Sequence, residues 1–324
     1  MKSFDAFNGD ADGLCALVQL RLADPRPSTI VTGVKRDIQL LDRVLVNGGD
    51  HVTVMDVSLD SNRSHLERIL KDGASVDYFD HHFAGEIPAD KALNAIIDPS
   101  AEICTSLLVD RRLGGTHSLW AIAGAFGDNL SKVATSLAKQ RGLTTTATEQ
   151  LRELGEALNY NAYGESVEDL RYSPADLFGL LLEARDPFAF IAAGPHFATL
   201  KEGLAQDVAL ARAVRPLAEY ASAVACLLPD AAWARRVSGM FANELAFSHP
   251  LRAHAILTRH SSGGYTVSVR APSSRPAGAD TLCRRFPTGG GRTGAAGINR
   301  LPEDQLAPFL DALRQQYSEE PGTC

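Results

Sequence analysis

The sequence predicts an α/β protein: an N-terminal parallel sheet with helices on both faces, a helical linker and a smaller C-terminal α/β domain. Three observations carry this. In residues 1–100, short runs rich in Val, Ile, Phe and Thr alternate with stretches whose apolar residues recur every three or four positions, the pattern of strand–helix–strand units. Residues 101–228 are patterned as helix almost throughout, and strand-like runs return beyond Ala232. At roughly 100–200 residues per domain, the chain length of 324 also predicts two domains.

Taken in order, Lys2–Phe7, Ile30–Val34, Val52–Val57, Ser75–Phe79 and Asn94–Ile97 read as strands, with helices over Gly13–Leu22, Ile38–Val46 and Leu59–Leu70. Helices follow at Ile103–Arg112, Ser118–Ala125, Leu130–Lys139 and Thr148–Leu158. Asn159–Gly164 reads as a loop, and Ser173–Leu182 opens on Ser-Pro-Ala-Asp, a favourable first helical turn. The long apolar-periodic stretch Phe197–Leu228 is expected to be a joining helix. Arg236–Asn243, His254–Arg259 and Tyr265–Ala271 are expected as strands, then a short helix around Asp280–Phe286, a glycine run, and a last helix near Pro302–Tyr317 with a solvated acidic end. The expected domains are 1–195, a helical linker 196–230, and 231–324.

Composition excludes several classes. No apolar run approaches the ~20 residues of a membrane span, and the N-terminus carries acids where a signal peptide is apolar. A soluble cytoplasmic protein is expected. Five cysteines without a CxxC pair fit a reducing compartment and argue against a disulfide framework or zinc ribbon; Cys15 and Cys104 read as small core residues.

The chemical signal is acidic. Asp10-Ala11-Asp12-Gly13 follows the first strand, Asp56 lies near the end of Val52–Val57, Asp80-His81-His82 closes the fourth strand, and Asp128 follows Ala121–Phe126. Residues past the carboxyl ends of parallel strands converge on one edge. Each piece alone has a bland reading as a turn or helix cap. Together, so many carboxylates repel one another unless cations neutralise them, and oxygen ligands with one or two imidazoles suit Mn²⁺ or Mg²⁺ better than zinc.

In this order, Asp10-x-Asp12, Asp56, Asp80-His81-His82 and Asp128 resemble the four motifs of DHH phosphoesterases. Gly289-Gly290-Gly291-Arg292-Thr293-Gly294-Ala295-Ala296-Gly297 resembles the GGGH-x-x-AAG signature of the DHH-associated C-terminal substrate domain. The motifs span nearly the whole chain and are specific for the superfamily, not for a substrate. The resemblance implies a dinuclear Mn²⁺ site (Mg²⁺ or another divalent ion being an alternative) with Asp10, Asp12, Asp56, His81 and Asp128 as ligands and Asp56 bridging. It implies Asp80 orienting the histidines, His82 facing the phosphate or leaving group, and a metal-bridging hydroxide as nucleophile. Two motifs depart from it. In motif I, Ala6 replaces a histidine and Asn8 replaces the aspartate of RecJ-type members, able to ligate or orient water without charge. In the C-terminal signature, Arg292 replaces the histidine; a guanidinium clamps phosphate but does no acid–base work.

The net charge of −7 divides unevenly. Residues 231–300 hold ten arginines, no lysine and two acids, a local charge of +8; residues 1–230 carry −11 and 301–324 carry −4. Arg270 and the loop Gly289, Gly290, Gly291 and Arg292 are expected to grip phosphate. Arg185-Asp186 reads as a structural ion pair. The expected function is a metal-dependent phosphoesterase for nucleotides or short oligonucleotides, the compact length resembling the nano-RNase and 3′-phosphoadenosine 5′-phosphate phosphatase group. The alternatives are a pyrophosphate or short-polyphosphate hydrolase, and a nucleotide-binding regulator with weak catalysis. The expected partner is a small phosphate-bearing substrate, not long nucleic acid or membrane; a homodimer is compatible with the sequence.

Overall fold

The computed structural model describes residues 1–260 and 262–318. Cys324 and the end of the acidic tail lie outside the described residues. The chain divides into two compact units, Met1–Gly203 and Leu204–Cys324. Among the described residues no helix is long and apolar enough to cross a membrane.

The first unit is built on a five-stranded parallel sheet of β1 (Ser3–Asn8), β2 (Thr29–Gly33), β3 (His51–Met55), β4 (Ser75–Asp80) and β5 (Leu93–Ile97), in the order β2-β1-β3-β4-β5. Strand alternation sends Phe7, Met55 and Phe79 to one face and Ala6, Val54 and Tyr78 to the other. The first face packs under α1 (Ala11–Ala23), which is apolar nearly all round and therefore central. Around it lie α3 (Thr105–Arg112), α4 (Ser118–Gly127), α6 (Thr145–Asn161) and α7 (Pro174–Ala184). The second face is covered by α2 (Leu59–Lys71) and the segment Leu40–Val44. Helices thus lie on both faces, as the alternating pattern predicts. The helices α5 (Ser131–Gln140) and α8 (Pro187–Ala192) complete the unit.

The close crossing of α1, α4 and α6 depends on Gly127. A Cβ there would lie 2.3 Å from the Ala11 Cβ and 2.8 Å from the Gly155 carbonyl oxygen, so only glycine lets the end of α4 reach the start of α1.

The second unit holds a mixed six-stranded sheet: β6 (Pro216–Glu219), β7 (Ala223–Leu228), β8 (Ala253–Arg259), β9 (Tyr265–Arg270), β10 (Gly289–Gly291) and β11 (Ala295–Leu301), ordered β10-β11-β9-β8-β7-β6. One face packs on α11 (Ala279–Cys283) and α12 (Leu306–Gln316), while α10 (Ala232–Ser248) packs against β8 and β9.

Four expectations are corrected. The proposed joining helix Phe197–Leu228 is α9 (Pro195–Arg212) followed by β6 and β7, so residues 196–230 are not a helical linker and their second half belongs to the C-terminal sheet. Arg236–Asn243 is the middle of α10, not a strand. Ile38–Val46 contains only a 3₁₀ turn, Leu40–Arg43. Asn159–Asn161 finish α6 before the chain loops. At Arg185-Asp186, the carboxylate of Asp186 caps α8 by accepting from the amides of Phe188 and Ala189.

Candidate metal centre

The sheet registers Phe7 with Met55 and Met55 with Phe79. The next residue on each strand is Asn8, Asp56 and Asp80, so three motifs end level on the carboxyl edge. Here β2 and β3 flank β1 on opposite sides, a topological switch point where open α/β sheets place their ligands.

Asp10 starts α1. Its Oδ1 accepts from the amides of Asp12 and Gly13, both at 3.1 Å, and an acid is favoured at this positive helix end. A Cβ on Gly13 would meet the Asn8 carbonyl oxygen at 2.2 Å, so the tight turn requires glycine. The Oδ2 of Asp10 lies 2.5 Å from Lys35 Nζ. Asn8 turns inward on the backbone: its Oδ1 accepts from the Asp10 amide at 3.2 Å, and its Nδ2 donates to the Lys35 carbonyl at 3.3 Å. Ala6 is buried in the opposite face of the sheet.

Asp12 crosses to the start of α3, where its two oxygens accept from the amides of Thr105 and Ser106, each at 2.7 Å. Asp56 is buried and adopts a left-handed backbone, φ 59°. Such a conformation costs free energy in a non-glycine residue, although Asp bears it better than most. Its Oδ1 accepts from Thr105 Oγ1 at 3.2 Å and lies 3.3 Å from His81 Nε2. His81 Nε2 is also 3.8 Å from Asp128 Oδ2.

Asp80 is fully buried. Its Oδ1 accepts from the His81 amide at 2.9 Å and from His82 Nδ1 at 2.7 Å, while Oδ2 has no hydrogen-bond partner. Asp80 thereby orients His82, whose side chain is 46% exposed and so open to a ligand. Asp128 follows the last turn of α4, the helix expected over Ser118–Ala125. A carboxylate at the negative end of a helix dipole is electrostatically disfavoured, and function is one reason for its presence.

Proton affinities register the crowding. Burial, reinforced by Asp10 and Asp12, pushes Asp56 well above the usual carboxylate range. Burial, with the charges of Asp12 and Asp10, raises Asp128 to about 7. Burial opposes the charged form of His81, but the bond to Asp56 and the surrounding carboxylates outweigh it and raise the imidazole to about 10. The bond to Asp80 raises His82. Asp10 goes the other way. Burial works to raise it, but the Lys35 ammonium and the Gly13 amide hold it below its ordinary value.

These residues fit a divalent cation. Ligand atoms of Asp12, His81 and Asp128 lie within 4.8 Å of one another, and so do those of Asp56, His81 and His82. The donors are carboxylate oxygens and imidazole nitrogens, and the raised proton affinities of Asp56 and Asp128 mark a pocket crowded with negative charge. Of the residues expected from sequence, Asp10, Asp12, Asp56, Asp80, His81, His82 and Asp128 converge. Lys35, Thr105, Ser106 and Asn159 were not foreseen. Only Lys35 had a signal, its place just past β2 on the same edge.

In the second unit, Gly289–Gly291 form edge strand β10 and Arg292 opens a tight hairpin, exchanging backbone bonds with Ala295 at 2.9 and 3.2 Å. Ala295 stands opposite Arg270, so both arginines belong to one end of this sheet. Arg270 donates to Asn243 Oδ1 at 2.5 Å, and Arg292 is exposed. Much of the positive charge is already paired. Arg236 is buried against Asp207, and Arg235, Arg252, Arg259 and Arg284 lie beside Asp230, Glu219, Glu303 and Asp280.

No protein-family model and no curated protein matches the chain. Solved structures do. Exonuclease RecJ bound to manganese aligns at TM-score 0.63 and 18% identity, over 99% of this chain and 91% of that one. RecJ from Thermus thermophilus, in complex with Mn²⁺, aligns at 0.59 and 18% over 99% of this chain and 52% of its own. The pGpG-specific phosphodiesterase PggH from Vibrio cholerae aligns at 0.55 and 16%, over 98% and 99%. The fold is therefore shared with these exonuclease and phosphodiesterase structures.

Proposed function

We propose that the chain is a divalent-metal-dependent phosphoesterase hydrolysing phosphate esters of nucleotides or short oligonucleotides. One observation carries the reading: Asp10, Asp12, Asp56, Asp80 and Asp128 meet His81 and His82 past the carboxyl edge of the first sheet, with Asp56 in a left-handed backbone and the proton affinities of Asp56 and Asp128 raised by burial and acidic neighbours. Asp12, Asp56, His81 and Asp128 would hold the ion. Bound there, a divalent cation such as Mn²⁺ supplies an acidified water and neutralises charge on a phosphoryl oxygen.

The chain's own residues do the rest. Asp80 fixes the ring of His82 through Nδ1, which leaves Nε2 to bind the phosphate or to give a proton to the leaving oxygen. Arg270 and Arg292 offer guanidinium forks, and the Gly289–Gly291 backbone offers close approach, to a terminal or neighbouring phosphate. A nucleotide substrate is supported by the exonuclease and pGpG phosphodiesterase among proteins of the same fold.

The test is purified protein with Mn²⁺ and then Mg²⁺, assayed against a dinucleotide, 3′-phosphoadenosine 5′-phosphate, a cyclic dinucleotide, pyrophosphate and p-nitrophenyl phosphate esters. Turnover of nucleotide esters is expected. Turnover of pyrophosphate alone would refute the nucleotide reading, and ligand binding without any turnover would refute the enzyme. Arg292→Ala is expected to raise KM about tenfold or more, the weight of a charged hydrogen bond, with bound metal unchanged by elemental analysis.

A further inference from the structure

Lys35 brings a fixed positive charge into the pocket. Its side chain is only 26% exposed. Nζ lies 2.5 Å from Asp10 Oδ2 and 3.2 Å from Asn159 Oδ1, and 5.7 Å from the centre of the Tyr163 ring. The backbone on either side is pinned as well. The Lys35 amide donates to the Ala162 carbonyl at 2.9 Å, and its own carbonyl accepts from Asn8 Nδ2. Strand β2, the end of α6 and the turn after β1 therefore all place this ammonium.

Asp10 is correspondingly occupied. One oxygen faces Lys35 and the other takes two backbone amides. Neither of the two groups with convergent ligand atoms includes Asp10. A second divalent ion at Asp10 would meet the Lys35 charge at contact range, where repulsion in a buried site is strong.

We propose that the Lys35 ammonium stands in for one of two cations: it neutralises Asp10 permanently, and the resting site takes a single divalent ion among Asp12, Asp56, His81 and Asp128. This rests on the reading of the pocket as a metal site, and it revises the sequence-based expectation of two ions. Lys35 is on this view a positioning residue that sets the metal count, with an ammonium too firmly held to leave when metal arrives.

The experiment counts ions. Metal-free full-length protein is titrated with Mn²⁺ by calorimetry, and the bound metal is measured after gel filtration. One Mn²⁺ per chain is expected for the wild type and for Lys35→Arg, and two for Lys35→Met, which keeps the bulk and removes the charge. Asp10→Asn covers the case in which Lys35→Met fails to fold, and it is expected to keep one ion. Two tight ions in the wild type, one ion in folded Lys35→Met, or loss of the ion in Asp10→Asn would each overturn the Lys35 assignment while leaving a metal site. Absence of any Mn²⁺ binding by the wild type would overturn that assignment and the metal reading beneath it.

Discussion

Strand β1 carries a buried acid, Asp5, near its amino end and leads into a buried acidic cluster past its carboxyl end, and the two regions are treated in opposite ways. Near the amino end, Asp5 receives a two-pronged guanidinium from Arg21 and a hydroxyl from Ser28 at 2.6 Å, and Arg21 also reaches Thr53 Oγ1 at 2.8 Å. One acid meets one base with supporting hydroxyls, and nothing is left to offer a ligand. Past the carboxyl end, Asp10, Asp12, Asp56 and Asp128 share Lys35 and His81, and the shortfall appears as raised proton affinity. Burial is common to both ends; charge balance separates them. A saturated buried pair is architecture, whereas an unsaturated cluster held rigidly is a site awaiting its counter-ion.

The largest effect should come at the unsaturated end. Asp56→Asn keeps a residue that tolerates left-handed backbone and removes one charge. Turnover is expected to fall at least about 10²–10³-fold, on the scale of losing a key electrostatic group, with Mn²⁺ binding lost in parallel. Retained stoichiometry in calorimetry would show that Asp56 is no ligand.

The saturated end should respond in stability and not in metal. Arg21→Ala leaves Asp5 buried without its partner, a change that typically costs about 3–5 kcal/mol. Urea unfolding measures it, and the folded variant should still bind Mn²⁺ as the wild type does. A variant that keeps its stability but loses metal would break the contrast.

A smaller, diffuse effect is the pH profile of the metal-free protein. Asp56 and Asp128 hold protons in the fold that the unfolded chain releases near pH 4, and Asp128 releases its own only near 7. Folded-state pKa values lie above unfolded ones, so both groups cost stability as pH rises above about 4, Asp128 until about 7. His81 adds stability that is full below about 6.5 and fades as pH climbs toward 10. Metal-free melting temperature should therefore decline on the alkaline side, and saturating Mn²⁺ should flatten that decline. A metal-free profile that rises from pH 6 to 9 would contradict the assigned crowding.

Much of this was legible because strand ends announce themselves. Asp10, Asp56 and Asp80 each close a β-rich run, and a parallel sheet must gather such ends. Asp128 was legible as a motif, and the apolar spacing of Ser118–Ala125 already placed it at the end of a helix. Arg236–Asn243 failed through length: a short window holding Val, Met and Phe resembles a strand until the flanking Ala232–Arg235 and Glu244–Ser248 extend it to a full helix. Phe197–Leu228 failed for the converse reason, because apolar spacing alone does not show where one long helix gives way to two short strands. Lys35 was missed because a lone lysine has no periodicity. Only the three-dimensional meeting of β2, α6 and the turn after β1 shows what it touches.

The carboxylate of Asp12 accepts from the first amides of α3 and would, on the proposed reading, also hold the cation. Electron density drawn toward a bound ion would be withdrawn from those hydrogen bonds, so occupancy would be felt at the start of α3. The amides of Thr105 and Ser106 then become a built-in gauge. Their deuterium uptake should quicken when metal binds, even as the protein as a whole grows more resistant to exchange.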